Sequence, residues 1–534
     1  MRIRKDYRRE SPRYKSSLLG RITPTPATLV LVGSLFAVIA AGWGKSDGVK
    51  LAVSTLAVPL LVIALIKTFG TTDFSAPRLV NGTPSQLAWI RIVVCLSAFI
   101  LTVIENLPAI SWLPVEFRKN QEFLHLFNAL PGYETLLSNP HLLAILQWTT
   151  AILLLLGMLG LKTRVTLLLG GLCFFVVQAI LRQYTYYFHG GLVPLYLLLV
   201  LPWTPCAAVW SLDHRLNPAE RKASRQSVGF GIYACYTVMA IVYLLSGLSK
   251  MRDSGLDWFR GENIQHILLQ DAMNPHFPDH KWKATLWLVQ HDAPQFVYSM
   301  IGVVAVATEL GYFTVLFSRT ARIVTPAIAF GVHIGIWVFQ HILFLDLLIL
   351  QLVFLNADRL ATFVVRRFRF HAAPEGSRIA TNHGEEQRAV APIALAFMAV
   401  IIAGMFLIWI FGIEYYPVSS WRLYSGSSGK SPIFYYKVVA TLKNGSSIIV
   451  PPRDYSPAVM ASGLPTLIKA IRSGGFEHFL SAYIERRDRQ LAFGSPISTV
   501  EVQCWRWNYA VDPHDPYLGW ITDRYVYDAT AKRP

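Results

Sequence analysis

The 534-residue chain is 53% hydrophobic and only 15% charged, with 15 tryptophans and a mean hydropathy of +0.40. A soluble domain carries about 25% charged residues, so this composition excludes an ordinary soluble protein and predicts a polytopic membrane protein. The net charge of +17 would suit a nucleic-acid-binding protein, but the basic residues are spread over short loops between apolar runs, so we expect no nucleic-acid partner.

Eleven apolar segments are candidates for membrane-spanning helices, which need about 20 largely apolar residues. They lie near 27–43, 50–69, 86–112, 142–160, 165–181, 189–210, 230–249, 296–317, 323–342, 343–356 and 391–412. Because Asp346 interrupts this series, residues 323–356 could form either two spans or one long helix followed by a re-entrant piece. The predicted fold class is an all-α polytopic membrane bundle of about 11 transmembrane helices.

Lysine and arginine residues are distributed unevenly between alternate loops. With the basic N-terminus, 1–26, inside, the predicted inner segments hold more than twice as many of them as the outer loops. The positive-inside rule therefore predicts a multi-pass protein of a cell inner membrane with a cytoplasmic N-terminus. The same orientation places the C-terminal region, 413–534, outside the cytoplasm.

The C-terminal region changes character. "IFYYKVVATLKNGSSIIVPP" alternates apolar and polar residues around Lys443-Asn444-Gly445, which predicts a β-hairpin with a tight turn. "LPTLIKAIRSGGFEHFLSAYIERRDRQ" has helical spacing, and "STVEVQCWRWNYAV" returns to strand alternation. We therefore expect a small extracytoplasmic α+β domain. The predicted organisation is a basic cytoplasmic N-terminus (1–26), two extra transmembrane helices (27–85), a transmembrane core (86–356), a cytoplasmic linker (357–390), the last transmembrane helix (391–412) and the external domain (413–534).

Lys250 ends an apolar run in "SGLSKMRDSGLDWFRGE", and Asp257-Trp258 follows it. Charged groups in lipid are costly, so each is a functional hypothesis. The predicted topology puts Lys250 at the outer face together with His189, and a lysine beside an apolar wall can act as a base. The simpler alternatives are that Lys250 snorkels to the interface, that His189 hydrogen-bonds the backbone, and that Asp257-Trp258 is a turn with an interfacial anchor.

Glu309 and His333 are titratable residues inside two later apolar segments. Counted at about 1.5 Å per residue along their helices, they fall at similar depth, so they could pair. Such a pair would be either functional or a structural polar contact between helices. The five cysteines are scattered and form no CxxC or metal-like cluster, so we expect no metal site.

Four segments, taken in order, resemble the HTTM (horizontally transferred transmembrane) domain family, the bacterial relatives of vitamin K-dependent γ-glutamyl carboxylase. "GLKTR" with "LRQYTYYFHGGL" is similar to the family's basic loop and histidine-containing stretch, and "VWSLDHRL" to its W-S-[LV]-D segment. "IVYLLSGLSKMRDSGLDWFRGE" is similar to its G-x-x-K and D-W segment, and "TELGYFTVLFSRTAR" with "FGVHIGIWVF" to its later helices. The resemblance covers about half the chain, and it implies the family's transmembrane fold for 86–356.

The resemblance also implies a reaction. In the carboxylase, a lysine is held to deprotonate reduced vitamin K; the oxidised species then abstracts a proton from a substrate glutamate, and carbon dioxide adds to the carbanion. The resemblance maps that lysine onto Lys250 and two family histidines onto His189 and His333, so these three are the expected catalytic residues. The cofactors implied are reduced vitamin K or menaquinol, with O2 and CO2. The implied activity is therefore that of a quinol-dependent carboxylase or epoxidase at the outer face.

Two departures from the family pattern stand at the lysine. Ser249 precedes Lys250 where the animal enzyme has a second lysine, and three extra residues separate it from Asp257-Trp258. We take Glu309, Asp257 and Trp258 as candidate binding residues. The expected partners are the lipid bilayer, a quinone or lipid ligand, and an extracytoplasmic protein or peptide. The alternative function is a non-catalytic membrane component that binds lipid or a partner through its external C-terminal domain.

Overall fold

A computed structural model shows a mostly helical protein with a small strand-containing C-terminal region. It describes residues 82–113, 118, 125–184, 189–217, 223–274, 284–359, 392–426, 432–450, 476–489, 494–514 and 520–528. The helices are α1 (Pro84–Ile104), α2 (His125–Asn128), α3 (Tyr133–Ser138), α4 (Pro140–Leu159), α5 (Thr163–Tyr184), α6 (Leu192–Val200), α7 (Leu212–Leu216), α8 (Arg225–Ser254), α9 (Gly261–Met273), α10 (Ala284–Gln290), α11 (Gln295–Gly311), α12 (Ala321–Gln340), α13 (Leu345–Leu350), α14 (Pro392–Phe411) and α15 (Phe476–Arg489). The strands are β1 (Glu414–Tyr415), β2 (Val418–Ser419), β3 (Ile433–Leu442), β4 (Ser447–Ile449), β5 (Ile497–Trp507) and β6 (Trp520–Asp528).

Six helical segments in the described part of the chain are long and apolar enough to cross a membrane. They are Pro84–Trp112, Pro140–Leu159, Thr163–Tyr184, Arg225–Phe259, Gln295–Leu316 and Ala321–Gln340, and each matches one of the eleven predicted segments. The predicted segments 27–43 and 50–69 lie outside the described residues. Of the three others, two form the shorter apolar helices Leu192–Trp203 and Leu345–Phe354, and the third corresponds to α14, whose stretch Met398–Phe411 is apolar. A count of eleven spans is not confirmed.

Local backbone conformation explains where the short helices α6 and α13 begin or end. At its start, α6 follows Gly191, whose φ of +84° favours glycine, and it ends in a 3₁₀ turn containing Pro202. Residue 341 adopts the left-handed conformation and ends α12, and α13 begins four residues later with Asp346 in its first turn. Residues 323–356 are therefore two helices separated by a short non-helical stretch.

The central helix of the bundle is α8. Ser224 caps its start, because the Ser224 Oγ accepts a hydrogen bond from the backbone N–H of Ser227 at 3.1 Å. Its middle residues belong to the largest buried apolar cluster, which also takes side chains from α1, α5, α6 and α14. A helix that is buried on most of its circumference can carry polar side chains inward, where they meet neighbouring helices.

A buried junction joins α1, the loop before α5, and α7. Arg91 of α1 is fully buried and donates hydrogen bonds to the carbonyl oxygens of Cys206 at 2.7 Å and Trp210 at 2.6 Å. Gly160 has a φ of +72°, and an added Cβ there would lie 2.9 Å from Arg91 Nη1. Asp213 accepts from both Thr163 N and Thr163 Oγ1, so it caps α5. The segments "GLKTR" and "VWSLDHRL" therefore meet in space and stabilise the fold.

The C-terminal region contains a four-stranded antiparallel sheet in the order β4-β3-β5-β6. The predicted hairpin is confirmed: β3 and β4 pair across the Asn-Gly turn, where Gly445 has a φ of +82°. The predicted strand over "STVEVQCWRWNYAV" is confirmed as β5. Near one end of the sheet, α9 donates from Gln270 Nε2 to the Phe434 carbonyl at 3.0 Å. The sheet is thus attached to the helical part of the molecule.

Residues 413–426 lie against the helices. Tyr416 donates its hydroxyl to the Phe175 carbonyl at 2.8 Å, and Tyr196 donates to the Pro417 carbonyl at 2.7 Å. The Trp421 side chain is almost fully buried. We call 414–425 the covering segment, because it lies over the polar residues at the end of α8 described next.

Candidate active site

Lys250 lies inside α8, since the helix continues past the predicted end at 249 to Ser254. Its side chain is 5% exposed, and its Nζ donates to Glu309 Oε1 at 2.7 Å. The same Nζ donates to Ser246 Oγ at 3.2 Å and lies 5.5 Å from the centroid of the Trp258 ring. Lys250 is therefore a buried, ion-paired side chain, and it does not snorkel to an interface.

Glu309 of α11 receives its hydrogen bonds on one carboxylate oxygen. Oε1 accepts from Lys250 Nζ and, at 3.0 Å, from Ser246 Oγ. The other oxygen, Oε2, is buried and has no hydrogen-bond partner among the residues that the structure describes. One oxygen of the Glu309 carboxylate is therefore hydrogen-bonded to α8, and the other is buried without a hydrogen-bond partner among the described residues.

Gly247 explains how α8 and α11 come close enough for this contact. A Cβ added at Gly247 would lie 2.8 Å from Leu310 Cδ2 and 3.2 Å from Glu309 Cβ. Real Cβ atoms do not sit that close to a neighbouring side chain, so only glycine fits without displacement. Ser246, Gly247 and Lys250 lie on one face of α8, since residues three and four apart are neighbours on a helix. The "SGLSK" pattern is thus a close helix contact with a polar pair beside it.

Trp258 and Asp257 are adjacent in sequence but have different surroundings. The Trp258 side chain is buried beside Lys250, and its Nε1 donates to the carbonyl of Tyr424 at 2.7 Å. Asp257 is exposed and pairs with Arg260 at 2.9 Å. Of these two candidate binding residues, the structure therefore brings Trp258 to Lys250 and leaves Asp257 on the surface.

The covering segment also holds the other side of α8. Ser249 Oγ donates to the Ser420 carbonyl at 2.9 Å and accepts from Trp409 Nε1 at 2.9 Å. Asp253, one turn further on, accepts from Arg422 Nε at 2.8 Å. These contacts place residues of the C-terminal region directly over the Lys250 turn.

His189 lies beside the covering segment. Its Nε2 is 3.4 Å from Glu414 Oε2, and its ring lies 5.5 Å from that of Trp421. Burial alone would raise the pKa of the Glu414 carboxyl, but the hydrogen bond and charge of His189, followed by the Ser420 hydroxyl, hold that pKa below its usual range. Ser420 thus links the surroundings of His189 and Lys250. Its hydroxyl donates to Glu414, the partner of His189, and its carbonyl accepts from Ser249, which precedes Lys250.

His333 belongs to a different buried group. Its Nε2 lies 2.6 Å from the Tyr243 hydroxyl, which also receives Gln351 Nε2 at 2.8 Å. Gln351 Oε1 in turn accepts from the Tyr312 hydroxyl at 2.6 Å. The Tyr243 and Tyr312 rings stack with centroids 4.0 Å apart. These four side chains, here called the tyrosine–histidine chain, come from α8, α12 and the two 3₁₀ turns that follow α11 and α13.

Glu309 and His333, whose similar depth in the sequence allowed a pairing, do not pair in the structure. Glu309 contacts Lys250 and Ser246, whereas His333 contacts Tyr243. Counting residues gave the two side chains a similar depth but not their rotation about the helix axes, and rotation decides which neighbour each one meets. The catalytic roles predicted for Lys250, His189 and His333 stay predictions.

Sequence reasoning missed Ser246, Gly247, Tyr243 and Glu414. Ser246, Gly247 and Tyr243 share a face of α8 with Lys250. A small residue beside polar ones on an apolar helix is typical of a close contact between helices. The sequence therefore contained a signal for these three residues. Glu414 had no comparable signal, because its role depends on how the covering segment folds back. In the described part of the chain, no group of three or more His, Cys, Asp and Glu residues could hold a metal ion.

A family model described as the HTTM domain matches residues 81–345, which include α1 to α12 and both members of the Lys250–Glu309 pair. No curated protein and no solved structure matches the chain.

Proposed function

We propose that the protein, whose residues 81–345 are an HTTM domain, is an integral membrane enzyme. In this proposal, the Lys250–Glu309 pair removes a proton from a hydroxyl group of a membrane-soluble ligand. The observation that carries this proposal is a buried ion pair with one carboxylate oxygen, Glu309 Oε2, that has no protein partner in the described part of the chain. The HTTM domain and the apolar helices fit a membrane protein. The chemistry is our inference from the pair.

Stability alone is a poor explanation of this pair. A buried ion pair contributes little net stability, because desolvation of the two charges offsets their attraction. Ionisable side chains in membrane helices are costly and mark ligand or proton pathways. A carboxylate that only joined two helices would find partners for both oxygens, as buried polar atoms usually do. The open Oε2 of Glu309 therefore favours a chemical role.

The pair can act as one acid–base unit, because Lys250 Nζ and Glu309 Oε1 are hydrogen-bonded at 2.7 Å and can share one proton. When the shared proton lies on Glu309, Lys250 is a neutral amine and is the base that the sequence predicts. When it lies on Lys250, Glu309 Oε2 is the acceptor. In both cases the O–H bond of the ligand breaks and its proton joins the pair, which then carries one net positive charge beside the ligand oxyanion. The apolar surroundings strengthen that attraction.

A quinol fits this site in two respects. The buried Trp258 ring lies near Lys250 Nζ and offers an aromatic surface to a planar ligand. Glu309 Oε2 offers an acceptor to a ligand hydroxyl. When bound, a quinol would supply that hydroxyl and the four electrons that reduce O2, two from the ring hydroxyls and two from the carbon–carbon double bond, since quinol and O2 together give a quinone epoxide and water. The resemblance to the carboxylase extends the proposal to CO2 addition at a glutamate carbanion, at the outer face that the charge bias predicts.

The test is epoxide formation by the purified full-length protein in lipid nanodiscs. Menadiol, O2, labelled bicarbonate and a glutamate peptide are supplied, and both epoxide and labelled peptide are measured. We expect Lys250→Met and Glu309→Gln each to lower the rate at least about a hundredfold, the usual effect of removing an acid–base group. Asp257→Asn is the matched control, since its carboxylate is exposed and lies in an ion pair away from Lys250.

Epoxide formation that survived both substitutions, or no epoxide in wild type, would overturn the proposal. If epoxide formed but no labelled peptide did, the proposed role of the pair as a base would stand, and the proposed carboxylation of glutamate would be refuted. The alternative of a binding protein acting through the C-terminal region is tested by deleting 432–534. That deletion keeps the covering segment, whose contacts with Ser249 and Trp258 belong to the helical part of the molecule.

A further inference from the structure

The tyrosine–histidine chain has a direction that its own chemistry determines. Gln351 Nε2 donates to the backbone carbonyl of Leu347 at 2.9 Å, and a carbonyl oxygen can only accept, so this atom is the amide nitrogen. Its second hydrogen is donated to the Tyr243 oxygen at 2.8 Å, and its amide oxygen accepts from Tyr312. Every group from Tyr312 to Tyr243 therefore has its donor and acceptor roles assigned.

This direction sets the state of His333. Among the described residues the Tyr243 hydroxyl has two hydrogen-bond partners, Gln351 Nε2 and His333 Nε2, and the Gln351 nitrogen can only donate. The hydroxyl proton of Tyr243 is therefore satisfied only if it is donated to His333 Nε2, 2.6 Å away. An imidazole nitrogen that accepts a hydrogen bond carries no proton. His333 is consequently neutral, with its proton on Nδ1. Its Nε2 lone pair is engaged by Tyr243, which makes His333 a hydrogen-bond donor and unsuited to act as a base at that nitrogen.

The Nδ1 atom of His333 has no hydrogen-bond partner in the part of the chain that the structure describes, although the residue is only 6% exposed. Buried donors in proteins are nearly always paired. The imidazole also lies among aromatic rings, with Phe344 5.6 Å and Tyr243 5.8 Å from it between centroids. The chain itself contains no charged group, so nothing in it would balance a charged ligand.

We propose that His333 Nδ1–H is a binding site for the oxygen acceptor of a neutral, apolar ligand. The tyrosine–histidine chain holds the imidazole in the tautomer that presents this donor, so Tyr243 is a positioning residue. The class of ligand in this inference rests on the proposed function. The tautomer of His333 does not, because it follows from the hydrogen bonds of Tyr243 and Gln351. It differs from the role of a catalytic base, since here His333 orients the ligand and takes no proton from it.

The experiment uses full-length protein with nitrogen-15 histidine in nanodiscs, and His333→Gln identifies the His333 signals by their loss. We expect an unprotonated Nε2 and a protonated Nδ1 in nitrogen NMR spectra. Menadione, which carries carbonyl oxygens, should shift the His333 Nδ1 signal, whereas methylnaphthalene, which has the same carbon skeleton without oxygen, should not. Tyr243→Phe should mix the tautomers and weaken menadione binding roughly tenfold, as expected for one hydrogen bond.

Three results would overturn the inference: a proton on Nε2, equal shifts with menadione and methylnaphthalene, or menadione binding unchanged in Tyr243→Phe. Folding of that variant is checked by its melting temperature and by retention of the other histidine signals. In Glu309→Gln the proposed function expects turnover to be lost, whereas this inference expects menadione still to shift the His333 Nδ1 signal. If the wild-type protein turns over no quinol but menadione still shifts Nδ1, the binding site stands and the enzyme proposal fails. If turnover depends on Lys250 but Nδ1 does not respond, the reverse holds.

Discussion

Breaking the Lys250–Glu309 pair from one side should cost far more than removing it whole. The two atoms are 2.7 Å apart, and the side chains are 5% and 18% exposed, so solvent screens them weakly. At that separation their Coulomb attraction is about 6 kcal/mol for an effective dielectric constant of 20, before the desolvation of both charges is subtracted. Lys250→Met leaves a buried carboxylate unpaired, and we expect the free energy of unfolding to fall by about 3–5 kcal/mol.

The double variant distinguishes the pair from its parts. Lys250→Met with Glu309→Leu removes both charges and keeps similar volumes, so it should recover to within about 1–2 kcal/mol of wild type. The cycle of wild type, two single variants and the double variant then gives a coupling of roughly 3 kcal/mol or more. Unfolding by sodium dodecyl sulfate in mixed micelles supplies the four free energies.

The surface pair of Asp257 and Arg260 is the matched control. Its atoms are 2.9 Å apart, nearly the same separation, but its side chains are 60% and 72% exposed. Because an exposed pair contributes about 0–1 kcal/mol, its cycle should show almost no coupling. A coupling below about 1 kcal/mol for Lys250 and Glu309 would refute the reasoning, since it would mean that the two charges are solvated separately.

Three further predictions concern packing, capping and pH. Gly247→Ala should lower stability by about 1–3 kcal/mol and reduce turnover, because its Cβ forces α8 and α11 apart, whereas Gly311→Ala, with nothing within 4 Å of the new Cβ, should do neither. Asp213→Ala should cost about 1–2 kcal/mol in thermal unfolding, because α5 loses its cap. Burial raises the pKa of the Asp271 carboxyl to about 8, so folding stability is gained as pH falls below that value and lost as pH rises through it. Because the ordinary pKa of an aspartate is about 3.8, this loss begins near pH 4 and is complete above about pH 8. Asp271→Asn should therefore melt above wild type at about pH 9, still above it near pH 6, and with it only near pH 4.

The helices of the core could be predicted because apolar length and local breakers act within one segment. The six spans and the Asn-Gly hairpin follow from such patterns. The short helix α6 was predicted as a span, because its apolar residues continue past Pro202 while the helix does not. Apolar composition predicts that a segment is buried or lies in the membrane. The positions of glycine and proline determine where its helix ends.

The site could be predicted only in part. Lys250 stood out since a charge in an apolar run is costly wherever the chain goes. Its partner could not be identified, because Glu309 and His333 lie at similar depth and only the rotation of α11 and α12 separates them. The contact of Ser249 with Ser420 joins residues 171 positions apart in the chain. No local pattern specifies such a contact, so the covering segment was expected in a separate external domain.

The Lys250–Glu309 pair and the tyrosine–histidine chain are two layers of one polar stripe. Tyr243 lies seven residues before Lys250 on α8, about 10.5 Å along the helix, and Tyr312 follows Glu309 by three residues. The first layer is charged and can take a proton, whereas the second is neutral and can only donate a hydrogen bond. Our two proposals together predict that a ligand with a hydroxyl at one end and an acceptor oxygen at the other binds both Glu309 Oε2 and His333 Nδ1, whereas a hydrocarbon of the same shape binds neither. They therefore predict specificity for an oxygenated ring, because the two buried groups have opposite hydrogen-bonding character.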